Sequence, residues 1–236
     1  MEQADAIKQR ILYEDNHLIA VNKLSGENVQ GDKSGDNPLL DAVKYYIKMR
    51  DRKPGNVFLG IPHRLDRPTS GVVLFAKTGK ALARINEQFK QQEIDKLYWA
   101  VVDSMPPEES GRLVHYLSRN RSQNKSFAQK KEGKNTKKGV LSYRVISATD
   151  NYYLLEVHPE TGRHHQIRAQ LAAVGCHIRG DLKYGAPRSN PDGGIHLHAR
   201  TLQFMHPVKK EALEITADPP NADNLWKVFL KMVSER

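Results

Sequence analysis

His63-Arg64-Leu65-Asp66-Arg67-Pro68-Thr69-Ser70-Gly71-Val72-Val73-Leu74-Phe75-Ala76 joins a polar loop directly to the clearest buried strand of the chain. The apolar run Val72–Ala76, bounded by turn material, is too short for a helix and reads as a strand in a sheet interior. Pro68 biases Arg67 away from the helical region, so Asp66 lies on an extended loop. Thr69 and Ser70 can tie that loop down through hydroxyl bonds, and Gly71 permits a tight entry into the strand. Arg64 and Arg67 flank Asp66, and nearby positive charge favours an ionised carboxylate, a competent nucleophile or general base. On chemistry alone, a salt-bridged loop with no reaction is an equal reading.

Outward from this stretch, strands dominate. Ile11-Leu12-Tyr13 and Leu18-Ile19-Ala20-Val21 flank the polar turn Glu14–His17 and read as a hairpin. Residues 25–37 are Gly-, Asp- and Ser-rich loop. Asn37 and Pro38 read as cap and first residue of a helix carrying Leu39, Leu40, Val43 and Ile47. Val57–Ile61 is strand-like, Leu82, Ile85 and Phe89 mark one helix face, and Leu97–Val102 is a strand ended by Met105-Pro106-Pro107. Further strands are expected at Val140–Ile146, Tyr153–Val157, Leu197–Phe204 and Leu213–Ala217. A helix opens near His164 or His165 and stops at Gly175, and another carries Leu225, Val228, Phe229 and Met232. Neighbouring antiparallel strands with a few interposed helices indicate an α+β fold.

The chain has 236 residues, enough for one large domain or two packed lobes without a disulfide or metal staple. Thirty-seven Lys and Arg against 27 Asp and Glu leave a formal charge of +10, which points to a polyanion and first to nucleic acid. The window 119–138 holds eight basic residues, among them Lys130, Lys131, Lys134, Lys137 and Lys138, against the single acid Glu132. It reads as an exposed basic loop or extended hairpin that contacts RNA or DNA. The lone cysteine, Cys176, excludes a disulfide framework and a Cys-based zinc site, and reads as a small core residue. Ten histidines, with His164-His165, His196, His198 and His206 the possible ligands, show no metal-site spacing. Phosphate-binding and dinucleotide-binding glycine motifs are absent as well, so no metal and no cofactor is expected. The longest apolar runs are far short of a bilayer span and the N-terminus carries acids, so the expectation is a soluble cytoplasmic protein, monomeric by default.

A second cluster, Thr161-Gly162-Arg163-His164-His165-Gln166-Ile167-Arg168, gathers donors at a predicted helix start, where cations oppose the macrodipole and so answer some other demand. His63-Arg64-Leu65-Asp66-x-x-Thr69-Ser70-Gly71, Lys96-x-Tyr98-x-Ala100, Gly162-Arg163-x-His165-Gln166-Ile167-Arg168, Gly180-Asp181-x-x-Tyr184-Gly185, Leu197-His198-Ala199 and His206-Pro207 follow one another in that order. In these motifs the chain resembles the RluA family of RNA pseudouridine synthases, and the likeness runs from about Ile11 to Ala217. It departs from the family in having Asn22-Lys23-Leu24 where Asn-Lys-Pro is usual. Only about ten residues precede the first strand, so the N-terminal S4-type RNA-binding domain that many members carry is not expected.

The resemblance implies one catalytic domain over residues 1–236, with 119–138 as a basic insertion. It implies a mixed, mainly antiparallel sheet of two lobes with flanking helices and a central catalytic cleft. The implied reaction converts uridine to pseudouridine in rRNA or tRNA without a cofactor, at a uridine that can flip out of a stem-loop. Asp66 would start glycosidic cleavage, by attack on the sugar or by removing a sugar proton. Arg168 would pair with Asp66, and Tyr98 would stack on the flipped uracil and help take the C5 proton. Arg64 would fill the vacated place in the RNA stack. Arg67, Thr69, Arg163, His165, Gln166 and the five lysines complete the expected substrate-binding set. A glycoside hydrolase needs two carboxylates, and the only distant candidate, Asp181, reads as a structural turn after Gly180. The alternatives are a metal-dependent RNA hydrolase and a non-catalytic RNA-binding module.

Overall fold

A computed structural model describes residues 2–31, 35–220 and 223–235. Its elements run α1 (Glu2–Lys8), β1 (Ile11–Glu14), β2 (Leu18–Lys23), α2 (Leu39–Arg50), β3 (Ser70–Ala76), α3 (Gly79–Gln91), β4 (Asp95–Val102) and β5 (Ser110–Asn120). They continue β6 (Lys125–Gln129), β7 (Lys137–Ala148), β8 (Tyr153–Pro159), α4 (Gln166–Ala172), a 3-10 turn (Leu182–Tyr184), β9 (Leu197–Met205), β10 (Ala212–Thr216) and α5 (Asn224–Ser234). The α+β class is borne out. The chain forms two compact units, one from residues 1–95 and 199–218, the other from 96–198 and 219–236.

In the first unit the strand order is β1-β2-β3-β9, with β10 on β9. The hairpin pairs Glu14 with Ile19, and β2 pairs antiparallel with β3 over its whole length, Leu18 opposite Ala76 and Lys23 opposite Gly71. The turn between β1 and β2 is built on Asp15, whose Oδ1 accepts the amides of His17 and Leu18 at 2.8 Å. Its Oδ2 meets His206 Nε2 at 2.9 Å. Burial pushes the Asp15 carboxyl up, but those amides, the Tyr13 hydroxyl and the neighbouring His206 outweigh it and bring it down to about 2. His206 is wholly buried, and its Nδ1 accepts the amides of Val208 and Lys209, so it serves the fold. Strand β3 is buried at every residue, as two-sided coverage requires. Its Val72, Leu74 and Ala76 pack with Leu18, Ile85 and Phe204 in one cluster.

Gly71 explains why the strand can be entered so tightly. Its φ is +118°, and a Cβ there would lie 2.3 Å from the Ala199 carbonyl oxygen and 2.5 Å from the Ala199 nitrogen. Both atoms are backbone, so the clash cannot be relieved by a rotamer change. Gly71→Ala is expected to destabilise the chain by more than about 2 kcal/mol, read as a lower urea midpoint at unchanged slope. A midpoint within error of the native one would show that β3 and β9 can separate cheaply.

The second unit orders its strands β4-β8-β7-β5-β6, and every one of these pairings is antiparallel. Ala100, Leu141, Leu155, Val157 and Leu171 form its main core, with Cys176 buried among them. A second cluster seats Trp226 and Phe229 of α5 on Trp99 and Leu154. His196 stacks on Trp226 and bonds Asn190 at 2.9 Å and Asp223 at 3.0 Å, so this buried histidine also serves packing. Asp223 in turn caps α5 through the amides of Leu225 and Trp226.

Two expectations need correction, and helix α1 arises where none was expected. Asn37 does not cap α2: the N-cap is Pro38, in extended conformation, and the orphan amides of Leu39 and Leu40 are taken by the carbonyls of Asn28 and Val29. Val57–Ile61 forms no strand, only a bridge from Gly60 to Ala76, since Pro62 follows without an amide to donate. Helix α4 opens where expected, at Gln166, with His165 as its N-cap in the left-handed region at φ 53°. The loop expected over 25–37 includes residues 32–34, which lie outside the described ones.

Candidate active site

In the first unit the Asp66 loop is fixed from three sides. Leu65 is buried beneath it, and the Thr69 amide donates to the Asp66 carbonyl at 3.0 Å, closing a turn around Arg67-Pro68. Upstream, His63 Nε2 accepts the Leu74 amide at 2.9 Å while its ring packs on Phe89. The third support is the backbone beside Lys23. The Arg67 carbonyl accepts both the Gly26 amide at 2.9 Å and the Lys23 ammonium at 3.0 Å.

This arrangement reassigns two of the expected residues. The Arg67 guanidinium turns away from the carboxylate beside it, donating to Gly26 O at 2.9 Å and pairing with Asp36 at 2.8 Å. Thr69 is buried, and its hydroxyl has no hydrogen-bond partner among the described residues; the backbone amide, not the hydroxyl, ties the turn. Arg64 is exposed and Asp66 half-buried. The departure at Leu24 has a local reason, because its amide donates to Glu27 Oε2 at 2.9 Å, a bond that proline cannot make.

Lys23 was missed by sequence reasoning except as part of a motif. It is fully buried, and its ammonium also donates to the Leu24 carbonyl at 2.8 Å. Burial lowers its pKa, Glu27 and Asp66 raise it, and the balance leaves the group at about 7 instead of 10.5. Between those two values the unfolded chain holds a proton that the folded chain has released, so stability must rise with pH across that window. The rise is expected to be on the order of a few kcal/mol, and Lys23→Met, which has no such proton, is expected to lose it. Urea titrations at pH 7 and near pH 10 read the slope independently of any loss from the missing ammonium. Parallel slopes in the two proteins would place the titration elsewhere.

The second unit holds the other cluster. Arg168, on α4, is buried, and its Nε and Nη2 donate to Asp181 Oδ2 and Oδ1 at 2.6 and 2.7 Å, a bidentate pair. Its guanidinium also lies 4.9 Å from the centroid of the Tyr184 ring. The Tyr184 hydroxyl accepts the Ser126 amide at 2.8 Å and meets His165 Nδ1 at 2.9 Å. Burial, with Arg168 and His164 beside it, pulls His165 down to about 2, so the ring is held neutral. Asp181 therefore does more than make the turn expected after Gly180: it is a buried counter-charge of Arg168.

Gln166 also takes a structural role. Its Oε1 accepts the Thr161 hydroxyl and the Arg163 amide, and its Nε2 donates to the Val140 carbonyl, which spends its amide on the turn before α4. Arg163 precedes the helix and bonds the Lys138 carbonyl at 3.1 Å. Tyr98 lies half-buried in β4 opposite Val157 and packs against the main core. Lys130, Lys131, Lys134, Lys137 and Lys138 are all exposed, on or beside β6 and β7. Among the described residues no group of three or more His, Cys, Asp or Glu is placed to hold a metal ion.

The sequence model of the family described as RNA pseudouridylate synthase matches residues 17–173, a span that includes Asp66, Tyr98 and Arg168. The chain belongs to the RNA pseudouridylate synthase family. The ribosomal large subunit pseudouridine synthase D of Zymomonas mobilis is 32% identical over 240 aligned positions, covering 98% of this chain and 75% of that one. The synthase C of Buchnera aphidicola is 34% identical over 217 positions, 88% of this chain and 66% of that protein. Human RNA pseudouridylate synthase domain containing 4 shares the fold at a TM-score of 0.79 and 26% identity, over 98% of this chain and 95% of that one. The RluA-type membership read from the motifs is thus borne out. An RNA pseudouridine synthase is an isomerase, converting uridine to pseudouridine within RNA. No helix among the described residues is long and apolar enough to cross a membrane.

Proposed function

We propose that this synthase isomerises specific uridines in structured RNA with Asp66 as its one reacting carboxylate and with neither metal nor cofactor. The family match across the segment that carries Asp66 is the observation on which the reading rests. Ribosomal RNA is the substrate favoured, because the similar proteins of Zymomonas mobilis and Buchnera aphidicola are named ribosomal large subunit synthases.

The reaction breaks the bond from uracil N1 to C1′, turns the base, and forms a bond from C5 to C1′. N1 gains a proton and C5 loses one, so no electrons are imported and none leave. Asp66 either attacks the sugar or removes a sugar proton to begin the cleavage. Tyr98 presents a ring face to the uracil, and its hydroxyl takes part in removing the C5 proton. Arg168 supplies the compensating positive charge, its geometry set by Asp181. Arg64, exposed beside Asp66, fills the gap that the flipped base leaves. Arg163 and the exposed lysines bind phosphate.

The test is tritium release from RNA carrying 5-tritiated uridine. The native chain is expected to release tritium without added metal, undiminished by EDTA, while the RNA stays intact; Asp66→Ala is expected to release none. Chain cleavage that EDTA stops would establish the hydrolase instead, and unaltered RNA the binding module.

A further inference from the structure

Strand β6 is the outermost strand of the second unit, and its register assigns each side chain to a face. Leu117 and Ala128 stand opposite each other and pack with Ala169 of α4. By alternation Tyr116 and Phe127 belong to the other face, with Val114 and with Lys138, which pairs with Tyr116. That face is uncovered: Phe127 is 46% exposed and Val114 37%. A large bare aromatic on an outer strand invites association and needs a reason.

Its surroundings supply one. The Lys125 ammonium sits 5.6 Å from the centroid of the Phe127 ring. Among the described residues, none of Lys125, Lys130, Lys131, Lys134, Lys137 and Lys138 lies within ion-pairing distance of a carboxylate. A ring face bordered by cations is the chemistry that binds unpaired nucleic acid, the base stacking on the ring and the backbone following the charges. A second copy of this chain would bring the same cations to the contact and be repelled. We propose that the outer face of β5 and β6, centred on Phe127, is a stacking platform for an unpaired base of the RNA substrate, with Lys125 and Lys138 on the adjoining phosphates. This inference rests on RNA being the substrate, and it adds which part of the RNA is recognised: a single-stranded segment.

The experiment measures binding of a fluorescein-labelled oligouridylate and of a fully paired RNA duplex of the same length. Phe127→Ala is expected to weaken the single strand about tenfold, the change expected for one lost base–aromatic stack, and to leave the duplex unchanged. Its affinity should keep the native salt slope, whereas Lys125→Gln with Lys138→Gln should flatten it by about two charges. Phe127→Trp should retain the affinity, and its fluorescence should be quenched by the oligouridylate. Trp99 and Trp226 are buried and give a constant background.

Native affinity in Phe127→Ala, or unquenched fluorescence in Phe127→Trp, would overturn the platform. So would a Phe127→Ala effect confined to self-association in sedimentation, which would give the face to a second copy. A chain that binds the oligouridylate through Phe127 yet releases tritium from no RNA would overturn the isomerisation reading and leave the platform standing.

Discussion

Asp66→Asn is expected to bind RNA about as tightly as the native chain and to form pseudouridine at least on the order of 10⁴-fold more slowly. The asparagine keeps the shape of the side chain, so the turn closed by the Thr69 amide and the packing of Leu65 should survive. What it loses is the electron pair that attacks the sugar or accepts its proton, an interaction made only as the reaction proceeds. Such a loss lowers turnover and leaves the ground-state complex alone. The substitution carries an internal check. Asp66 is one of the two carboxylates that raise the proton affinity of Lys23 against its burial, so removing its charge must drop the Lys23 pKa below about 7. The pH window over which stability rises should therefore extend to lower pH in Asp66→Asn. A variant with native turnover would remove Asp66 from the chemistry. A variant with lost turnover and an unmoved window would mean that its charge does not reach Lys23.

The strand pattern and the motif order were legible because both are written in local sequence. Alternation and short apolar runs located β3, β4, β7 and β8, and His63–Gly71 marked the loop before β3. Partners brought together from distant segments were not legible. Nothing near Asn37 shows that the carbonyls of Asn28 and Val29 will occupy the helix start, so the usual capping residue was credited with the task. Flanking arginines suggested that Arg67 faces its neighbouring aspartate, but Asp36 and the Gly26 carbonyl, more than thirty positions upstream, claim its donors. Gln166 sits in a motif of charged donors, yet its amide closes the preceding turn. The clearest available signal for Asp181 was its place in Gly180-Asp181-x-x-Tyr184: a carboxylate and an aromatic three residues apart, both of which the structure brings to Arg168.

Asp181→Ala should therefore be among the most damaging single changes in the second unit. The side chains of Arg168 and Asp181 are 5% and 1% exposed, and two short charge-assisted bonds join them. An ion pair so buried is weak evidence of net stability, because both charges had to leave water; removing one partner is a different matter, since the other charge remains buried. Alanine at 181 takes two charge-assisted bonds from a guanidinium that stays buried on α4, and the Tyr184 ring face offers only part of the lost attraction. The expected loss is about 3–5 kcal/mol in urea denaturation, far more than breaking an exposed pair such as Arg112–Glu160 would cost. Asp181→Asn keeps one acceptor for the guanidinium and should lose less. If Arg168 supplies charge to the reaction, the asparagine variant, still folded, should show reduced turnover with unchanged RNA affinity. A loss under about 1 kcal/mol in Asp181→Ala would mean that Asp181 is not the partner on which the burial of Arg168 depends.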